Sequence, residues 1–419
     1  MKIHPSFPRY TDFDPTIPVW CLTPNEGRCI HRFFDTSPLS PTGRFLAVLR
    51  VPQEERAIAP GDTADVLIVD LESGAERVVY TTRGWEAQMG ASINWGPDDS
   101  TLLFNDVDPE TWRPFGVKLN WPTGRHERFD RGIYHASSDG RYAVVGDLTT
   151  MRWSQPGYGV VIPDDRVPRR IGAPEDTGVF ITDTQTGQSR MLISLRDAFH
   201  RATPYVLDDN LDSLESYVFH TKFSPDGQRI MFSTRRWPKE IEHGFGMDHR
   251  KILFDIFTIR PDGTDLYNPV PHPYWIYPGH HTTWTPDSQS LTLNLDLHRK
   301  GMKIWTVKQD GGDFRLLVDF APGSGHPTLH RNGRHVLTDT YLREGFANDE
   351  GAIPLRWLDL ETRQETHPVR IRIRAHSKLG EWRVDPHPSW DRTWRYVTFN
   401  GILGDTRRVF LADFGPLLG

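Results

Sequence analysis

Short apolar runs alternate with polar positions along the whole chain, and Gly, Pro, Asp and Ser punctuate them. Phe45 to Leu49 and Arg229 to Ser233 are runs of one kind. Asp65 to Val69, Gly178 to Thr182, Asp255 to Ile259 and Lys303 to Val307 are runs of a second kind, each followed by a turn such as Glu72-Ser73-Gly74 or Pro261-Asp262-Gly263. A third kind is more polar, as in Glu76 to Tyr80. Alternation of period two with such punctuation predicts strands, and no stretch carries a helical period of useful length.

The runs recur in a fixed order around one phrase. Phe223-Ser224-Pro225-Asp226-Gly227 and Trp284-Thr285-Pro286-Asp287-Ser288 show it best; weaker copies start at Ser40, Gly96, Ser137, His330 and Asp391. Self-similarity at a spacing of roughly 40–60 residues signals a propeller or solenoid. Seven copies predict an all-β fold, a seven-bladed β-propeller forming a single domain over 1–419. The last repeat stops after Val409 to Asp413, one strand short. The run Ile17 to Leu22 would supply that strand and close the ring, protecting edges that would otherwise be exposed.

The register singles out candidate chemistry. Four positions before the first turn residue stand His220, His281, His326 and His387; the earlier repeats hold Thr36, Ser92 and Ile133 there. The first strand of each blade lies innermost, so this slot would face the axis. Convergent neutral imidazoles would bind a divalent transition metal; a substrate carboxylate or a general base are the alternatives, and so is a polar channel of structural histidines. His280 and His330 fall off the register and read as structural. The loops at the same face carry His31, Arg32, Asp35, Trp85, Gln88, Trp382, Arg113, Tyr158, Arg166, Arg169, Arg170, Arg235 and Arg236. Arginines suit carboxylates, and flat aromatic faces suit sugar rings. Two long insertions, 148–177 and 234–253 (with His243), exceed ordinary loops and read as functional.

Composition narrows the ligand. The net charge of −6 gives no basic footprint for nucleic acid or an anionic membrane. No run approaches the roughly 18 apolar residues of a membrane span. The start, Met1 to Pro5, lacks the apolar core of a secretory signal, so the protein is cytoplasmic or a leader is missing. Cys21 and Cys29 either form a disulfide or remain two buried thiols. There is no Gly-rich phosphate loop, nucleophile elbow or HExxH motif. An acidic oligosaccharide or polysaccharide is the expected ligand.

Cys29 to Pro38 and Thr82 to Glu86 resemble the L-rhamnose-α-1,4-D-glucuronate lyases, propellers acting on the rhamnosyl-glucuronate caps of arabinogalactan-type gums. His220 to Gly227 and Gly325-His326-Pro327 resemble more widely the oligogalacturonate and ulvan lyases, some with a histidine-bound metal. The resemblance implies β-elimination: a neutralised carboxylate, a base for the C5 proton and an acid for the leaving oxygen. It implies Arg113 and Arg169 as carboxylate clamp, His31 as base or acid oriented by Asp35, and Tyr158 as its partner. His220, His281, His326 and His387 would hold a divalent cation such as calcium, manganese or zinc. Arg32, Asp35, Trp85, Gln88, Arg235 and Trp382 would line the substrate. It also implies a secreted or periplasmic location. The expected reaction is release of terminal L-rhamnose from rhamnosyl-α-1,4-glucuronate; an oligogalacturonate or ulvan lyase, an α-L-rhamnosidase of the same fold and a non-catalytic scaffold are the competing readings.

Overall fold

The structure is a computed structural model that describes residues 1–419 apart from 26, 207–209, 242–250, 276–278, 375–380 and 419. His243 therefore lies outside the described residues.

After β1 (Val19–Cys21) the strands pair with their chain neighbours in sets of four. The first set is β2 (Cys29–Ile30), β3 (Phe45–Arg50), β4 (Ala64–Asp70) and β5 (Glu76–Thr82). The second is β6 (Asn94–Trp95), β7 (Thr101–Val107), β8 (Pro114–Asn120) and β9 (Arg125–Arg128). The third is β10 (His135–Ala136), β11 (Tyr142–Val145), β12 (Gly178–Asp183) and β13 (Ser189–Ser194). The fourth is β14 (Leu214–Phe223), β15 (Ile230–Pro238), β16 (Leu253–Ile259) and β17 (Tyr267–Val270). The fifth is β18 (Gly279–Trp284), β19 (Ser290–Leu295), β20 (Lys303–Lys308) and β21 (Arg315–Val318).

The remaining strands share one eight-stranded sheet with β1. They are β22 (Thr328–Leu329), β23 (His335–Thr338), β24 (Ala352–Asp359), β25 (Gln364–Arg372), β26 (Ser389–Trp390), β27 (Tyr396–Leu403) and β28 (Thr406–Asp413). A single register pair, Arg372 with Ile402, joins β25 to β27. β1 pairs antiparallel with β28, Val19 opposite Ala412 and Cys21 opposite Phe410.

Every copy of the turn phrase closes the same way. The first residue's N–H donates to the carbonyl five residues on: Ser40 to Phe45, Gly96 to Thr101, Ser137 to Tyr142, Ser224 to Arg229, Thr285 to Ser290, His330 to His335 and Asp391 to Tyr396. In the best copies a hydroxyl also donates to the Asp two residues on, Ser224 to Asp226 at 2.6 Å and Thr285 to Asp287 at 2.5 Å. Those bonds satisfy the turn locally, which is why the phrase repeats.

Contacts divide the chain into two compact units: Met1–Val107 with Leu119–His126 and Ser324–Gly419, and Asp108–Lys118 with Glu127–Gly323. In the first, Leu46, Val48, Leu67 and Val69 pack with Leu22, Val409 and Leu411. In the second, Ile181, Ile193 and Phe199 pack with Val218, Phe232 and Phe257. Full burial of each such side chain contributes about 1.5–3 kcal/mol.

Among the described residues two short α-helices interrupt the strands: α1 (Met151–Ser154) in the 148–177 insertion and α2 (Leu195–Arg201) after β13. Ser194 caps α2, its hydroxyl accepting from the Asp197 N–H at 3.0 Å. α2 is too short to show a period. Cys21 and Cys29 are free and buried, and burial pushes the Cys29 thiol up to about 12. No helix among the described residues is long and apolar enough to cross a membrane.

Candidate functional site

The slot four residues before the turn is a place of irregular backbone. The register of β14 against β15 shifts between Val218 and Thr221, on either side of His220. That of β18 against β19 shifts between His280 and Thr283, on either side of His281. Ser92, His281 and His387 have φ of 52°, 59° and 50°, and Gly325, just before His326, has 57°. Side chains other than glycine pay a strain there that clusters at functional sites, and a bulge re-aims the residue it carries.

A second register position holds histidines in the slot and beside it. Nine residues after the first turn residue stand Ser233, Asn294, Asp339 and Asn400. The Ser233 hydroxyl accepts the His220 N–H at 3.1 Å, and the Asn294 amide lies 3.3 Å from His280 Nδ1. Asp339 accepts the His326 N–H at 2.7 Å, and the Asn400 side chain accepts the His31 N–H at 3.1 Å.

In the first unit these bonds assemble three buried imidazoles. The His326 and His387 rings lie 4.4 Å apart and perpendicular, and those of His31 and His387 lie 6.5 Å apart. Phe33 packs on His387 at 4.6 Å and Phe34 on His326 at 5.0 Å. Asp339 lies 2.8 Å from His326 Nδ1 and also accepts the His387 N–H at 3.2 Å. The carboxylate fixes the proton on Nδ1 and leaves the lone pair on Nε2, as in a carboxylate–histidine metal ligand. His31 Nε2 donates to the Pro386 carbonyl at 3.3 Å. His31 Nδ1 and both His387 ring nitrogens have no hydrogen-bond partner among the described residues.

Burial holds His31 down at about 4 and His387 well below the usual imidazole range, the latter helped by the neighbouring His326 and His31. A depressed value means that the unfolded chain takes up the proton first. In the metal-free protein, stability due to His31 is therefore complete above about pH 6.5 and falls by about 3 kcal/mol towards pH 4. Denaturant unfolding at a series of pH values should show this slope, and His31→Gln should flatten it; an equal slope in the variant would refute the assignment.

The second unit holds a different cluster. The Tyr134 hydroxyl is hydrogen-bonded to His220 Nδ1. Phe219 packs on the His220 ring at 3.9 Å and Tyr158 at 6.3 Å. The Arg235 guanidinium lies 3.7 Å from the Phe219 ring centroid and within 3.4 Å of the Gln155 side-chain oxygen. His281 Nδ1 lies 2.6 Å from His280 Nδ1, so His280, off the register, is the neighbour and partner of a slot residue.

The four slot histidines are thus divided between the units, His326 and His387 in one and His220 and His281 in the other. Among the described residues no group of three or more His, Cys, Asp or Glu stands ready to hold a metal ion.

The loop residues are placed unevenly. Trp85 and Trp382 are buried, and their indole N–H groups donate to the Asp62 and Arg56 carbonyls, so neither presents an open face. Gln88 is buried and donates to the Glu381 and Arg383 carbonyls. Arg32 is buried on Thr36 and Asn94, and Asp35 accepts from the Thr36 hydroxyl. Arg169 is engaged by the buried Glu215 and the Lys239 carbonyl. Arg236 forms a buried pair with Asp255. Arg113 is exposed in the turn from β7 to β8, and Tyr158 is buried. Tyr134, Asp339, Asn400 and Arg407 were not singled out from the sequence.

No protein-family model matches the chain, and no curated protein is significantly similar to it. Solved structures do match. An oligogalacturonate lyase in complex with manganese aligns over 99% of this chain and 96% of its own, at 15% identity and TM-score 0.64. An oligogalacturonate lyase from Vibrio parahaemolyticus aligns over 99% and 97%, at 14% identity and TM-score 0.61. The β-propeller domain of the Trilobed protease from Pyrococcus furiosus aligns over 92% and 96%, at 11% identity and TM-score 0.51. The likeness is one of fold, that of the β-propellers.

Proposed function

We propose that this protein is a lyase that cleaves the glycosidic bond at C4 of a uronate in an acidic oligosaccharide by β-elimination, on a seven-bladed propeller closed by β1. The observation that carries the reading is the Tyr134–His220 hydrogen bond beside Arg235. β-Elimination moves one proton from C5 to a base and delivers one to the leaving O4 as the C4–O4 bond breaks and a C4–C5 double bond forms. A hydrogen-bonded phenol and imidazole can take one proton and give another. A guanidinium stabilises the charge that develops on the carboxylate.

The proton-moving role goes to His220 rather than His31, because His31 is fully buried among Phe33, His326 and His387 while His220 is half-buried. Tyr158 is the further candidate acid, and the exposed Arg113 the further candidate for the carboxylate. Arg169 would have to leave Glu215 to bind one.

Oligogalacturonate is the favoured substrate, since both lyase structures align over nearly the whole chain. The rhamnosyl-glucuronate reading rests mainly on the His31 segment, whose residues Ile30 to Phe34 are buried and so do not speak for substrate contact. The manganese in the neighbour directs attention to the first unit. Its partnerless imidazole nitrogens and the Asp339-oriented His326 are suitable donors, so His326 and His387, with His31 beside them, would hold a divalent cation. When bound, such an ion supplies positive charge able to bind and polarise a carboxylate.

The test is the near-ultraviolet absorbance of a 4,5-unsaturated uronate on incubation with oligogalacturonate, gum arabic and ulvan separately. Oligogalacturonate should give the rise; a rise only with gum arabic would restore the rhamnosyl-glucuronate reading. Free sugar without absorbance would mean hydrolysis, and silence on all three would end the lyase reading. Manganese at about 100 times its Kd should stabilise the chelator-treated protein by about 2.7 kcal/mol, and His387→Ala should abolish that gain. An unchanged melting temperature with manganese would remove the cation from the proposal.

A further inference from the structure

His387 sits at a left-handed φ of 50° at the end of Glu381 to Pro386, which belongs to no strand. A histidine stays in that conformation only if its surroundings over-determine it. Arg407, on β28, is where the fixings meet. Its side chain is 2% exposed. One terminal nitrogen donates to the Ala87 carbonyl at 3.1 Å; the other donates to the Arg383 and Trp382 carbonyls at 3.1 and 3.4 Å. Its Nε lies 2.9 Å from Glu54 Oε1, and Glu54 Oε2 accepts from Arg374 at 3.1 Å. Onward from Arg383 the line is short. Its Nε donates to Asp385 at 2.9 Å, and Asp385 Oδ2 is 3.9 Å from His387 Nε2. Asn400 donates to the Asp385 carbonyl at 3.3 Å while accepting from His31.

We propose that Arg407, itself oriented by Glu54, is a positioning residue that sets the His387 imidazole against His326. The proposal rests on the reading of that imidazole cluster as functional. A buried ion pair is a weak source of stability, because desolvation offsets its attraction. What a planar guanidinium adds is geometry: its donors are fixed in direction and tie carbonyls of two segments to one carboxylate. A lysine at 407 would keep the charge and lose the fork.

The experiment uses the full chain with ¹⁵N-labelled histidine side chains, the His387 signals being identified from His387→Gln. Arg407→Met should move the His387 ring signals while leaving those of His220 and His281 in place. Where oligogalacturonate elimination is measurable, its kcat should fall at least about tenfold with KM within about twofold, and Arg407→Lys should recover only part. Glu54→Gln, which conserves shape, should move the same signals and provides the reading if Arg407→Met does not fold. His387 signals that stay unmoved in a folded variant would overturn the proposal. So would equal movement of every histidine, which would show general loosening. A wild-type protein without elimination activity would sink the lyase reading alone, since the ring signals decide the positioning role separately.

Discussion

Replacing His220 with alanine is expected to lower kcat for oligogalacturonate elimination about 10³-fold, the middle of the range for a lost general acid or base. Tyr134→Phe removes the hydroxyl bonded to Nδ1 and keeps the ring packing, so a smaller loss, about 10²-fold, should follow. Both variants should keep the wild-type melting temperature within a few degrees, because His220 is half-buried and Phe219 and Tyr158 still pack around its place. Initial rates from the absorbance of the unsaturated product, at several substrate concentrations, separate kcat from KM. Full activity in His220→Ala would remove the pair from the mechanism and return attention to the His31 cluster.

The second large effect concerns stability. Asp255 and Arg236 form an ion pair of 2.7 Å in which both side chains are 1% exposed. Asp255 also accepts from the Asn268 side chain and the His272 N–H, each at 3.0 Å. Asp255→Ala removes the carboxylate paired with the buried Arg236 guanidinium and strands two further donors. The expected loss is about 3–5 kcal/mol, read from denaturant unfolding. Replacing Arg236 and Asp255 together with methionine and leucine should cost less, because no unmatched charge is created and only the Asn268 and His272 donors lose their acceptor. A single-variant loss below about 1 kcal/mol would mean that water reaches the guanidinium.

Most of the fold was legible because the turn phrase carries its own hydrogen bonds. Ser224 and Asp226 complete their turn without help from distant residues, so the same letters recur wherever the turn does. The histidine slot was legible for the same reason, as a fixed distance from that turn. Its backbone was not: nothing in the letters around His281 or His387 announces a positive φ in a residue other than glycine. Asp339 and Asn400 stand at an equally regular distance after the turn and could have been found by the same alignment. Tyr134 could not, since it lies outside any strand and 86 residues from its partner His220. Trp85, Trp382 and Arg169 show a different limit. Aromatic and arginine side chains in loops invite a ligand reading, yet here backbone carbonyls and Glu215 occupy their polar groups.

The pairing of Val19–Cys21 with Phe410–Ala412 has a consequence for the order of events at the ribosome. β1 leaves the exit tunnel well before its partner β28, because most of the strands lie between them in sequence. At about 5–20 residues per second, it waits tens of seconds with unpaired backbone. Tyr10, Ile17 and Val19 cannot join Phe399, Phe410 and Phe414 until those residues have emerged. Contacts so distant in sequence slow folding. The sheets made in between must therefore hold together unaided until β1 and β28 meet.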